Sequence, residues 1–354
     1  MRKLFAAVLA LALLLCLVSC GDASSGAAEG GAAASAVPSA APAEPAKTYR
    51  VAMICDSYIS DGGWGAACYN AMLDAAAANG WEAACSDAIE APDYYDAIVS
   101  YCSRGYDLIY APGNQYTDAV LQAAAEYPDT AFALLNGSAD TPEKAVNSNV
   151  TSLLPNARQI GWIAGAMAGL MTQTGAVAFI GGMELATTRE KYEGYKEAAA
   201  FVAGKAGREA AALDIVYSNS FSDSEKGVAL AKELIAQGAD VFFGDASAVD
   251  SGARQAIDEA NQAADSIKIY DIAQPSDSLG QNPCIITSQV TDNASLVGLS
   301  MRAVEEGSFG GEVIYGTLQN GVLSAGRISE LVPADVQAAY QEYIAQMIAD
   351  TFLK

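Results

Sequence analysis

The sequence predicts an α/β protein built as two doubly wound, parallel-sheet lobes. Three observations carry that prediction. From residue 49 onward, short apolar runs of strand length alternate with helix-length stretches, the signature of βαβ units. The alternation is interrupted by a polar extended stretch at 146–152 and begins again beyond residue 175. The chain has 354 residues, enough for two cores of ordinary size.

The first strand, at 50–55, carries the apolar run Val51 to Cys55, as expected of a strand covered on both faces. Further strands are predicted at 81–86, 108–111 and 130–135, with helices at 65–79, 94–103 and 116–126 between them. Asn79-Gly80 and Arg104-Gly105 supply left-handed stops for the first two helices. Right-handed crossovers then require a doubly wound parallel sheet. In the helix predicted at 160–171, Gly161, Gly165 and Gly169 recur every fourth residue and form one smooth face for close packing. Its apolar run is too short to span a bilayer. The second alternation places strands at 176–180, 212–217, 241–244 and 268–272, and helices at 189–203, 223–237 and 248–263. A strand at 285–287, a helix at 294–305, a segment at 310–317 and a helix at 333–353 complete the chain.

Composition narrows the function. There are 19 basic against 42 acidic residues, a net charge of −23, and no basic cluster to meet a phosphate backbone, so nucleic acid is not a partner. The sequence contains no histidine, which removes His-based triads, most zinc sites and the commonest general base. No nucleophile–base pair, cofactor motif or metal-ligand spacing takes their place. An enzyme is disfavoured, and no cofactor is expected.

The N-terminus has the form of an export signal. Arg2 and Lys3 precede an apolar stretch from Leu4 to Val18, which ends in Leu17-Val18-Ser19-Cys20-Gly21. This resembles the bacterial lipobox, in which cleavage before the cysteine is followed by its lipidation. The expectation is a signal peptide at 1–20 and a lipid anchor on Cys20, the two-chain case of stable attachment at the extracytoplasmic face of a cell membrane. Residues 21–47, nearly all Ala, Gly, Ser, Pro and Glu, form a flexible linker. Of seven cysteines, Cys16 lies in the signal and Cys20 is the lipidation residue; Cys55, Cys68, Cys85, Cys102 and Cys284 read as small buried hydrophobes.

Ligands of open α/β sheets bind outside the carboxyl ends of the strands. By that rule the first βα turn offers Asp56 at the strand end, followed by Asp61 and Trp64 ahead of the helix. Asn114 follows the third strand in APGN, and Asn136 the fourth in LLNG. Each residue has a plain alternative: a solvated Asp, a Trp packed at a helix start, an Asn serving a turn. Lys191, Lys196 and Lys226, on predicted helices, read as solvated.

Several segments in order resemble the basic membrane protein (BMP) family of ABC-transporter substrate-binding lipoproteins, whose best-known members bind purine nucleosides. They are VAMICDSYISDGGWGAACYNAM, YDLIYAPGNQYTDAV, FALLNG, RQIGWIAGAMAGLMT, AVAFIGGMELATTREKYEGYKEA, SNSFSDSEKGVALAKELIAQGADVFF and SFGGEVIYGTLQNGV. The resemblance covers about residues 48–330. It implies the type I periplasmic-binding-protein fold, with a three-crossing hinge near 149–152, 288–291 and 312–318. Lobe 1 would be 48–150 plus 289–312, and lobe 2 would be 151–288 plus 313–354. It also implies a small-molecule ligand, nucleoside or similar, and an ABC permease as partner.

In the pocket the resemblance implies, Asp61 and Trp64 come from the first turn, with Trp64 stacking on a planar ring. Phe221 supplies a second aromatic from the opposite lobe. Asp245 and Ser247 lie after that lobe's third strand, where the family has backbone and small residues, so Asp245 is a departure or a substitute acceptor. Two further family positions depart: the ribose-holding Asp and Lys are replaced by Ala273 and Thr291. Asp271 and Gln289, two residues away, are the candidate replacements. A sensor that presents its ligand to a receptor, or the same fold holding a non-nucleoside solute, is the alternative reading.

Overall fold

The computed structural model describes residues 47–349 apart from 57, 61–63, 138–147, 264–268, 312 and the side chain of Trp64. The signal peptide, Cys20, the linker to residue 46, and Asp61 lie outside the described residues.

The first sheet is entirely parallel. Its strands are β1 (Arg50–Ile54), β2 (Glu82–Ser86), β3 (Leu108–Ala111), β4 (Ala131–Leu135), β5 (Val150–Pro155) and a late arrival, β12 (Val313–Gly316), in the order β2-β1-β3-β4-β5-β12. Helices α1 (Trp64–Asn79), α2 (Tyr94–Ser103) and α3 (Thr117–Glu126) make the crossovers. Gly80 and Gly105 both take positive φ, as their place after α1 and α2 requires. Strand residues divide between two faces by the period of two. Val51, Met53, Leu108 and Tyr110 join one apolar cluster, whereas Ala52, Ile54, Ile109 and Ala111 join the other. Burial on both faces is why these strands read as unbroken apolar runs.

The second sheet repeats the plan. After α4 (Ala157–Met171) come β6 (Ala176–Gly181), α5 (Ala186–Lys205), the two short strands β7 (Ala211–Ala212) and β8 (Val216–Tyr217), α6 (Ser224–Ala236), β9 (Val241–Asp245), α7 (Ala248–Ala263), β10 (Tyr270–Ala273) and β11 (Ile285–Thr291). The order is β7-β6-β9-β10-β11-β13, with β8 also on β6; β13 (Leu323–Ala325) is the antiparallel edge. The continuous strand predicted at 212–217 is therefore two, and β13 was not predicted. Helix α8 (Asn293–Glu305) returns to the first sheet, where Glu305 accepts from the Trp81 indole at 2.6 Å. The final helix, α9 (Ala334–Ile348), packs on α4, with the Tyr340 hydroxyl donating to the Ile163 carbonyl at 3.1 Å.

Helix α4 meets α5 through the glycine stripe. A Cβ at Gly161, Gly165 or Gly169 would lie 2.0, 2.2 or 2.3 Å from the carbonyl oxygens of Lys191, Tyr195 and Ala199. Backbone touches backbone, and no larger side chain fits.

The chain passes between the sheets three times, always from the carboxyl end of a strand: after β5, after β11 and after β12. The crossings are tied into one band. Asn156 N–H donates to Gly316 O at 2.8 Å, Leu323 N–H to Thr317 O at 3.1 Å, and Asp292 N–H to Val322 O at 2.7 Å. A Cβ on Gly316 would stand 2.5 Å from the Val322 side chain, so glycine permits this approach. The crossings sit later in sequence than predicted. Residues 151–155 and 313–316 pair in the first sheet, and 289–291 in the second, because strand pairing continues past the polar positions at which sequence reading ends the strands.

Candidate functional site

Each sheet reverses its winding direction beside its first strand, between β1 and β3 in one and β6 and β9 in the other. The crevice at such a switch point is where doubly wound sheets hold ligands. At the first, Asp56 is exposed just beyond β1. Its carboxylate accepts from the Gln115 amide at 3.0 Å and the Tyr94 hydroxyl at 3.4 Å, and its N–H donates to the Tyr116 hydroxyl at 2.9 Å. Tyr94 and Tyr116 meet edge to face at 4.7 Å between centroids. Burial raises both phenols above their ordinary range, and the Asp56 charge adds to it, so both stay protonated. The result is an exposed carboxylate on a rigid aromatic base.

The two asparagines play local parts. Asn114 is exposed, and its carbonyl and side-chain oxygens accept from the Thr117 hydroxyl at 2.6 and 3.2 Å. Asn136 takes a left-handed φ of 58° that ends β4, with its N–H donating to Leu153 O at 3.0 Å. Both stand at strand carboxyl ends with exposed side chains. Trp64 begins α1.

At the second switch point the ring of Phe221 lies over Gly182, just past β6. A Cβ there would fall 2.3 Å from the ring, and 42% of Phe221 remains exposed. Gly182 also donates its N–H to Asp245 O at 3.0 Å, which joins the aromatic loop to the end of β9. The Asp245 carboxylate is held by the Lys191 ammonium at 2.7 Å, the Thr188 hydroxyl at 2.7 Å and the Gln274 amide at 3.3 Å. The Gln274 carbonyl in turn accepts from Lys191 at 3.2 Å. Burial alone would raise the Asp245 carboxyl, but the Lys191 charge and these hydrogen bonds outweigh it and hold the group below the usual carboxylate range. Ser247, exposed with φ of 56°, makes the turn into α7, where its carbonyl accepts from Asp250 N–H at 3.1 Å.

Three sequence expectations are corrected here. Lys191 is not a solvated helix lysine: its side chain is 16% exposed and paired with Asp245. Asp271 is not a replacement ligand. It lies inside β10, buried, with its carboxylate taken by Arg254 of α7 at 2.7 Å. The two-residue offset from Ala273 keeps the face but moves the side chain back from the strand end and under α7. Gln289 is wholly buried where β11 pairs with β13, and its amide donates to Val290 O at 2.7 Å and the Thr291 hydroxyl at 3.2 Å.

Residues missed by sequence reading are Tyr94, Gln115, Tyr116, Thr188, Lys191 and Gln274. Gln115 and Gln274 were findable as polar residues at strand ends; Thr188 and Lys191 reach the site from α5 and carried no such signal. Among the described residues no cluster of acidic or cysteine side chains is arranged to hold a metal ion, and no helix is long and apolar enough to cross a membrane. Concavities of about 420 and 330 Å³ lie along α9, lined by residues such as Phe201 and Tyr343 or Arg327 and Tyr340, away from both switch points.

Comparison with known proteins adds a family. The model of the Bmp family, described as ABC transporter substrate-binding protein PnrA-like, matches residues 48–350. A CD4+ T-cell-stimulating antigen of Listeria monocytogenes is 30% identical over 161 residues, 45% of this chain; the match spans only 42% of that protein's length. The ABC transporter nucleoside-binding protein BmpA of Lactococcus lactis is 27% identical over 249 residues, 67% of this chain and 68% of that one. Among solved structures, a transcriptional activator of the comK gene from Bacillus halodurans superposes with a TM-score of 0.72 at 22% identity, covering 84% of this chain and 97% of that one, a likeness of fold.

Proposed function

This chain belongs to the Bmp family of ABC transporter substrate-binding proteins, and from that premise we propose that it captures a small planar ligand, a purine nucleoside, between its two sheets and delivers it to an ABC permease. Cys20 carries the lipid that keeps it at the extracytoplasmic face of the membrane. The observation that carries the reading is the pairing of an exposed aromatic ring with a held carboxylate at one switch point. Phe221 and Asp245 flank Gly182 at the carboxyl ends of β6 and β9. A flat π-face binds any planar ring, and the polar groups beside it meet the rest of the ligand. Asp56, on its tyrosine base, and Asn114 and Asn136 serve the opposite wall, with Asp61 and Trp64 from the first turn.

The hinge supports a closing mechanism. All three crossings leave strand carboxyl ends and are bonded to one another, so the two sheets can tilt about a single band. A ligand touching both walls favours the closed form, which the permease would read. The fold is that of type I periplasmic binding proteins.

The test is a thermal-shift panel of nucleosides, bases and unrelated solutes on the soluble form lacking residues 1–46, followed by calorimetry on Trp64→Ala and Phe221→Ala. Loss of one stacking face is expected to weaken nucleoside binding by about 1–3 kcal/mol. No shift with any nucleoside, alongside a shift with another solute, overturns the ligand assignment.

A further inference from the structure

We infer that Lys191 and Asp245 form the subsite that recognises adjacent hydroxyl groups of the ligand, which makes this ion pair the determinant of sugar specificity. The inference rests on the cleft reading above and names which atoms read which part of the ligand.

The pair stands at the carboxyl end of β9, at the switch point, and is neither sealed nor free. The side chains are 16% and 20% exposed, with Nζ and Oδ1 2.7 Å apart. Hydrogen-bonding capacity remains on both partners. A carboxylate offers about four lone-pair sites. Among the described residues, Oδ1 accepts from Lys191 and Gln274, and Oδ2 from Thr188. The ammonium has three donors, of which Asp245 and the Gln274 carbonyl take one each. Among the described residues, one acceptor site on Oδ2 and one N–H on Lys191 remain. Adjacent hydroxyls on a ring match this set: one donates to Oδ2 while the other accepts from Nζ. A planar base edge can also offer a donor and an acceptor, but the Phe221 ring on the neighbouring Gly182 already provides the surface for the planar part.

A purely structural role explains less. Helix α5 is already docked on α4 by backbone-to-backbone contact at Gly161, Gly165 and Gly169, and needs no ion pair to fix it. Partly buried pairs carry a desolvation cost that apolar residues would avoid. Here the pair is also oriented, by Thr188 on one side and Gln274 on the other. Such orientation positions polar groups for a partner that arrives later.

The experiment measures binding by calorimetry of adenosine, guanosine and inosine, each beside its 2′-deoxy and 3′-deoxy counterpart and the free base. The proteins are wild type, Lys191→Met, Asp245→Asn, and the double variant Lys191→Met/Asp245→Leu. The double variant replaces the pair with apolar groups, so no unpaired charge is left to unfold the lobe. Wild type is expected to bind the intact diol about 10- to 100-fold tighter than the deoxy forms, the range for hydrogen bonds to charged groups. All three variants are expected to lose that discrimination while still melting cooperatively, which shows that the lobe is folded. Nucleoside binding without discrimination in wild type, or discrimination retained in a folded double variant, overturns the inference and leaves the cleft reading standing. If no nucleoside or base binds wild type, both fall together.

Discussion

Replacing Asp250 by Asn should make the stability of this protein less sensitive to pH. Asp250 lies on α7, buried directly behind the second switch point. One carboxylate oxygen accepts from Ala246 N–H at 3.0 Å; the other has no hydrogen-bond partner among the described residues and faces Gly244, where a Cβ would stand 1.9 Å from it. Burial pushes this carboxyl up to about 7, the Ala246 N–H and Arg254 pull it down, and the charges of Asp271 and Asp245 push it up. A folded-state pKa above the unfolded value means that the native state binds the extra proton. Stability from this group is therefore greatest below pH 4 and falls as pH rises through about 7. Between the ordinary aspartate value of 3.8 and about 7, the loss reaches about 4 kcal/mol once both states are ionised, and about 1.5 kcal/mol of it has already occurred by pH 5. Urea denaturation of wild type and Asp250→Asn between pH 5 and 8.5 reads the difference directly, because other titrations are shared and cancel. The stability of the variant relative to wild type should rise by about 3 kcal/mol across that range. A difference that stays flat, or falls, refutes the assignment of a buried neutral carboxyl.

Gly165→Ala should cost about 1–3 kcal/mol or more by thermal or urea melting, since its Cβ would lie 2.2 Å from the Tyr195 carbonyl and α4 would have to lift from α5; a change under about 0.5 kcal/mol would contradict the close packing. Arg254→Met should cost about 3–5 kcal/mol by leaving the buried Asp271 unpaired. Arg254→Met/Asp271→Leu should recover most of that loss, and equal losses in the two variants would rule out an unpaired charge as the cause. Burial pushes the Cys68 and Cys85 thiols up to about 12 and Cys102 up to about 11. At pH 8 these thiols should resist iodoacetamide until denaturant is added, with peptide mass spectrometry as the readout; fast native labelling of Cys68 would be the contrary result.

The local sequence of this protein determined the elements and their class. Leu108–Ala111 and Tyr94–Ser103 were legible to the residue because apolar runs of strand length, helix-period patterns and glycine stops are local signals. The glycine stripe of α4 also announced its own contact. Segment resemblance supplied the bilobed plan and pointed to Phe221; that Phe221 and Asp245 meet through Gly182 came from the fold. Tertiary structure decided the polar chemistry. Asp271 and Gln274 are three residues apart, yet one is locked under α7 by Arg254 and the other stands at the Asp245 carboxylate. Lys191 looked like any helix lysine until the fold brought the start of α5 against the end of β9. The crossing points shifted for the same reason, since pairing partners distant in sequence extended β5 and β11 past their apolar cores. Secondary structure and burial follow from patterns along a few turns of chain, whereas the partner of a charged side chain is set by which elements the whole fold brings within a hydrogen bond of it.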